Sequence, residues 1–189
     1  MRIFINAGHC PNYDSGAINR RYNLTEADIV RDIALDVCKF LKEKNQNVKF
    51  LQTDNLRNGY DDSLDQPCII TECNWFGADL AVSIHLNAFN GVANGTECIC
   101  FQRGSKGQYL ASCIQQRLVD LLGTYNRGVR FEEDKPKEKR LSFIMLTNMP
   151  AVIVEPAFID NDDECMLVVN HKEEIAKAIA DGIMEYINE

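Results

Sequence analysis

The feature that most constrains this chain is its alternation between short apolar runs of strand character and longer runs with helical spacing. Ile3-Phe4-Ile5 reads as a first strand that breaks into the turn-rich Asn6-Ala7-Gly8-His9. Ile29, Ile33, Val37, Phe40 and Leu41 then mark one face of a helix over residues 25–44, with Glu26 in its first turn. The same reading gives strands over 48–53, 79–86, 96–101, 141–146 and 151–154, with His85 near the end of the second of these and Glu155 directly after the last. Helices are expected where Leu64, Cys68 and Trp75 share a face after Asp65 and Pro67, and over 108–122, with Leu110, Ile114, Leu118 and Leu121 inward. A closing helix over 172–187 has Ile175, Ile179, Ile183 and Tyr186 on one face. This order predicts an α/β fold: a single-domain three-layer sandwich whose mostly parallel, twisted sheet carries helices on both faces. Its ligand site belongs at the carboxyl ends of the strands.

No linker, repeat or low-complexity block divides the 189 residues, so residues 1–189 are expected to form one domain. A net charge of -8 repels phosphate backbones and no basic stripe offsets it, which argues against nucleic acid as a partner. The longest apolar runs fall far short of the roughly 20 residues of a membrane-spanning helix, so no membrane insertion is expected. Met1 to His9 does not read as a signal peptide, and the expectation is cytoplasmic synthesis. The eight cysteines lie mostly inside apolar patterns and read as buried free thiols. Cys98 and Cys100 point to one side of a strand, but no second pair or nearby histidine completes a structural zinc site.

The strand pattern brings His9, His85 and Glu155 to one edge of the sheet, with Glu26 opening the helix that leaves the His9 loop. Two imidazoles and a carboxylate are a common tripod for catalytic zinc, and a further carboxylate on a rigid, apolar strand suits a general base. Each residue also has an ordinary reading. Asn23-Leu-Thr-Glu26 is compatible with a capping box, in which Asn23 caps the helix and Glu26 reaches back to the backbone. Either histidine, taken singly, is more often a core or loop residue than a ligand. The combination favours the metal site.

The segments Ile-Asn-Ala-Gly-His9, Leu-Thr-Glu26-Ala-Asp, Val-Ser-Ile-His85-Leu-Asn-Ala, Arg127-Gly-Val and Ala-Val-Ile-Val-Glu155-Pro-Ala-Phe-Ile-Asp-Asn161 resemble, in order and separation, the zinc N-acetylmuramoyl-L-alanine amidases of the amidase-3 type. The resemblance covers nearly the whole chain. It implies a phosphorylase/hydrolase-like fold holding one zinc ion (Zn2+) through His9, Glu26 and His85, with Glu155 as general base. It further implies cleavage of the amide between N-acetylmuramic acid and L-alanine in bacterial peptidoglycan, as in phage endolysins and autolysins. The setting expected is action on the cell wall after release, or a fragment of a secreted autolysin; no protein partner is expected. A zinc peptidase or deacetylase and a non-catalytic wall-binding module are the alternatives.

The chain departs from the family pattern at Cys10-Pro11-Asn12-Tyr13-Asp14, where glycines are usual, and in lacking an evident arginine near Pro67; both bear on groove shape. Cys10 is a competing ligand candidate, though its side chain should point away from that of His9. Asn87 is assigned to orienting substrate or the His85 loop. Glu132 to Arg140 reads as a mixed charge run in a solvated loop, with a rim of the substrate groove as the alternative; Arg103 to Gly107 reads as a turn before a helix, and His171 as a cap of the final helix.

Overall fold

The computed structural model describes residues 1–56 and 66–189. In chain order the elements are β1 (Arg2–Ala7), β2 (Ile18–Asn19), β3 (Leu24–Thr25), α1 (Glu26–Glu43), β4 (Asn47–Leu51), α2 (Ile69–Phe76) and β5 (Leu80–Ile84). There follow β6 (Thr96–Cys100), α3 (Lys106–Leu122), β7 (Asn126–Phe131), α4 (Ser142–Leu146), β8 (Ala151–Glu155), α5 (Asp162–Asn170) and α6 (Lys172–Asn188). Six strands make one sheet in the order β4-β1-β5-β8-β6-β7, and β2 pairs with β3 in a small hairpin. Every pairing in the large sheet is parallel except that of β6 with β8. The expected α/β layering is therefore present.

Period-two alternation decides which helices cover which face. Ile3, Ile5, Val82, Ile84, Val152 and Val154 pack into one large cluster with the apolar faces of α1, α3 and α6. The intervening residues Phe4, Ala81, Ile99, Ala151 and Ile153 form a thinner cluster with residues of α2 and α4. Gly182 lets α6 cross α3 closely, since a Cβ there would lie 2.8 Å from the Ile114 Cα. No helix among the described residues is long and apolar enough to cross a membrane.

Several local expectations change. Residues 141–146 are not a strand: Ser142 to Leu146 form α4, and the Leu141 N–H goes to the Glu132 carboxylate at 2.6 Å rather than to a ladder. A six-residue apolar run has no periodicity strong enough to separate the two states. Leu64 and Asp65 lie outside the described residues, and α2 starts after Cys68 with Trp75 81% exposed. Leu121 is likewise exposed, whereas Leu110, Ile114 and Leu118 are buried. The hairpin, β7 and α5 are additional to the elements read from sequence; β7 is an edge strand of half-buried and exposed residues, which blunts its apolar signature. His171 ends α5 and makes no side-chain cap to α6, its Nδ1 instead meeting the Leu167 carbonyl at 2.9 Å. All eight cysteines are free and buried.

Candidate metal centre and active site

The thin face of the sheet turns polar at the carboxyl ends of its three central strands. Along β1 the side-chain sequence on that face is Phe4, Asn6, Gly8; along β5 it is Ala81, Ser83, His85; along β8 it is Ala151, Ile153, Glu155. Apolar anchors below thus hold polar groups above. Ser83 donates to the Asn6 Oδ1 at 2.6 Å, giving the floor between them a satisfied buried pair.

Gly8 is required by close approach, since a Cβ there would lie only 2.3 Å from the Cε1 and 2.4 Å from the Nδ1 of His85. His9 follows with φ 59, a left-handed conformation uncommon outside glycine. That turn aims its ring back over the sheet, where the His9 and His85 centroids stand 5.2 Å apart. Gly16, at φ +64, closes the other side: a Cβ would lie 2.6 Å from the His9 Cδ2 and 2.7 Å from the Glu26 Oε2.

Glu26 is the first residue of α1 and is 3% exposed. The helix is capped by Thr25, whose hydroxyl accepts from the Asp28 N–H, so the capping-box reading of Asn23 and Glu26 fails. Freed from capping, Glu26 faces the cluster. Its Oε1 accepts from the Leu86 N–H at 3.0 Å and lies 3.1 Å from the His85 Nδ1. Its Oε2 accepts from the Ala17 N–H at 3.0 Å and lies 3.2 Å from the His9 Nε2. Burial alone pushes this carboxyl up, but hydrogen bonds from His85 and His9, with their charges, outweigh it and hold Glu26 well below the usual carboxylate range. Conversely the Glu26 hydrogen bond and charge, aided by Asp14, raise His9 to about 9 against the opposing effect of burial.

The donor atoms of His9, Glu26 and His85 all lie within 4.8 Å of one another, and among the described residues this is the group that could hold a metal ion. Glu26 offers one oxygen to each histidine, Oε1 towards the His85 Nδ1 and Oε2 towards the His9 Nε2, and two imidazoles with a carboxylate are a donor set that suits zinc. Asp14 meets the His9 Nδ1 at 2.6 Å, the outer partner that leaves Nε2 inward for a metal. A site that stabilises extra protons in this way suits a divalent cation. The Cys10 Sγ stands 4.0 Å from the Gln52 carbonyl and is not in the cluster.

Glu155 borders the same cavity, of about 260 Å³, which His9 and His85 enter from one side and Leu141 and Phe143 wall on another. Burial first, then the charges of Glu97 and Glu26, push its carboxyl up to about 8. The structure thus brings His9, Glu26, His85 and Glu155 together. Asn87 is near, but its Nδ2 donates to the Glu97 Oε1 and its Oδ1 accepts from the Ala88 N–H, both at 2.9 Å, so both ends of its amide are engaged within the chain. Asp14, Asn6, Ser83 and Glu97 were not singled out from sequence. The period-two continuation of β1 and β5 would have flagged Asn6 and Ser83; nothing local marks the other two.

The model of the N-acetylmuramoyl-L-alanine amidase family matches residues 3–185. This chain belongs to that family. The amidase is 33% identical over 192 residues to the uncharacterized protein YqiI of Bacillus subtilis (strain 168), covering 99% of this chain and 85% of that one. It is 32% identical over 189 residues to the N-acetylmuramoyl-L-alanine amidase LytC of the same organism, but those residues are 97% of this chain and only 35% of LytC. Among solved structures, the catalytic domain of CwlV, an N-acetylmuramoyl-L-alanine amidase from Bacillus (Paenibacillus) polymyxa var. colistinus, superposes with a TM-score of 0.78 at 26% identity. That likeness covers 99% of the amidase and 98% of the CwlV chain. Family membership makes the amidase a hydrolase of amide bonds in peptidoglycan.

Proposed function

We propose that the amidase cleaves the bond between N-acetylmuramic acid and L-alanine with one zinc ion held by His9, Glu26 and His85, and with Glu155 as general base and acid. The observation that carries this reading is the convergence of three donors beside a partly buried carboxylate, Glu155, that borders the same cavity. Zinc bound there would supply Lewis acidity, polarising the scissile carbonyl and lowering the pKa of water. Glu155 takes one proton from the attacking water as the new C–O bond forms. It then delivers that proton to the L-alanine nitrogen as the C–N bond breaks, leaving a free amine and a lactyl carboxylic acid, which gives up the second proton of the water to solvent and becomes the carboxylate. Asp14 holds the His9 ring, and Glu26 is fixed by two backbone N–H groups, so the donors are positioned before the ion arrives. Peptidoglycan is the partner this reading implies, and the cell wall the place of action.

The test is digestion of purified peptidoglycan with and without chelator and added zinc, the new ends being identified by mass spectrometry. New L-alanine amino termini on intact glycan, abolished by chelator and restored by zinc, are expected. Cleavage at another amide would overturn the substrate, and activity indifferent to chelator would overturn the metal.

A further inference from the structure

Although the chain carries a net charge of -8, Arg127, Arg130 and Lys135 stand around Glu97 and Glu132 near Glu155. Glu97 on β6 is the direct cross-strand partner of Glu155 and is 8% exposed. Its Oε1 takes the Asn87 amide, and its Oε2 takes the Arg127 Nε at 2.6 Å. Both oxygens are thus satisfied without Arg130, whose Nε stands 3.6 Å from the Glu97 Oε2, beyond hydrogen-bond length, and whose side chain is 53% exposed. Val129 and Phe131 pack on the thick side of the sheet, so Arg130 between them emerges on the face of Glu155. It pairs with Ile99, which pairs with Ile153, and two strand spacings of about 4.8 Å set it about 10 Å from the β8 column.

Glu132, fully buried and unused by the reaction, builds the neighbouring stretch of the rim. Its Oε1 accepts from the Lys135 Nζ at 2.7 Å, and its Oε2 from the Leu141 N–H at 2.6 Å. One carboxylate therefore pins an ammonium, 41% exposed, beside a residue that walls the cavity holding Glu155. The charges of Lys135 and Arg127 are felt at Glu155. The segment 132–140 is accordingly a largely exposed loop with a buried anchor at Glu132.

We infer that Arg130 and Lys135 form a subsite for a free carboxylate on the peptide stem of the substrate. The inference rests on the amidase reading, which puts a peptide on the leaving side of the scissile bond. An otherwise acidic protein repels an anionic stem, and a half-exposed guanidinium with unspent donors at this rim is the group that offsets the repulsion.

The probes are N-acetylmuramoyl-L-alanyl-D-glutamic acid and its diamide, which differ only in the peptide carboxylates. With zinc-loaded protein at low salt, the acid should show the higher kcat/KM by roughly tenfold, through KM, as one charge-assisted contact at a half-exposed site predicts. Arg130→Gln should collapse that preference by raising KM for the acid, and Lys135→Met should do so in part. Arg130 contacts no buried group other than Glu97, so its variant stays interpretable if Lys135→Met unfolds. Binding of both probes to zinc-loaded Glu155→Gln runs in parallel and reads the preference without turnover. Equal kcat/KM and equal binding for the two probes, or an equal loss for both in Arg130→Gln, would overturn the subsite. Failure to cleave either probe would instead overturn the amidase reading, the binding arm still deciding on the carboxylate.

Discussion

At the residue scale two of the three proposed ligands have a further contact of their own. The His9 Nδ1 is held by Asp14 and the Glu26 oxygens by two backbone amides, so neither has to find its orientation if an ion binds. Asp14→Asn should weaken zinc binding by about 10- to 100-fold while leaving the fold intact, as competition with a chromogenic chelator would read. Glu155→Gln should retain one zinc per chain by elemental analysis yet lose about 10²–10⁴ in kcat; near-normal turnover would remove Glu155 from the mechanism. His85→Ala should lose both metal and activity.

At the element scale the sheet order brings the end of β1, the end of β5 and the end of β8 side by side, because these strands are neighbours although long stretches of sequence separate them. The antiparallel run of β6 against β8 matters as much, since it sets the start of β6, and so Glu97, against Glu155. On the thick side, α6 and α3 cross through Gly182, where an added Cβ would meet backbone atoms of Ile114 at 2.8 and 2.9 Å. Backbone cannot turn aside as a flexible side chain can. Gly182→Ala should therefore destabilise the protein by about 1–3 kcal/mol, seen as a lower midpoint in thermal denaturation, with the zinc site unchanged.

At the scale of the whole molecule, proton and metal linkage act in opposite directions. In the metal-free protein His9 is raised from 6.5 to about 9, so its contribution to stability is complete below the unfolded value and is lost as pH rises through about 9. Glu155 is raised from 4.5 to about 8; the folded chain holds a proton there that the unfolded chain releases, and stability falls as pH rises across that window. Chelator-treated protein should accordingly lose stability between pH 6 and 9 in urea titrations. Zinc affinity should climb over the same range, as the proton on His9 ceases to compete. Zinc at 100 times its dissociation constant should add about 2.7 kcal/mol. The thiols supply an independent measure of global opening: burial pushes Cys38 and Cys73 to about 12 and Cys100 to about 11. These three should react with an aromatic disulfide reagent only on unfolding.

What the sequence determined by itself was the set of elements with strong period and the residues at their ends. Ile3 to Ile5, Leu80 to Ile84 and Ala151 to Val154 are short, apolar and bounded by turn residues, which is enough to make buried parallel strands and to place His9, His85 and Glu155 at one edge. Glu26 was legible only in company, because a first-turn glutamate has an ordinary use; the Thr25 cap and the φ of His9 are what turned it into the cluster. The tertiary structure alone decided Asp14 as the partner of His9, Glu97 as the neighbour of Glu155, the burial of Glu132 and the helical state of Ser142 to Leu146. The reason is physical: periodicity reports the environment of a residue along its own element. The identity of a hydrogen-bond partner depends instead on strand order and direction, which are settled by packing across the whole sheet.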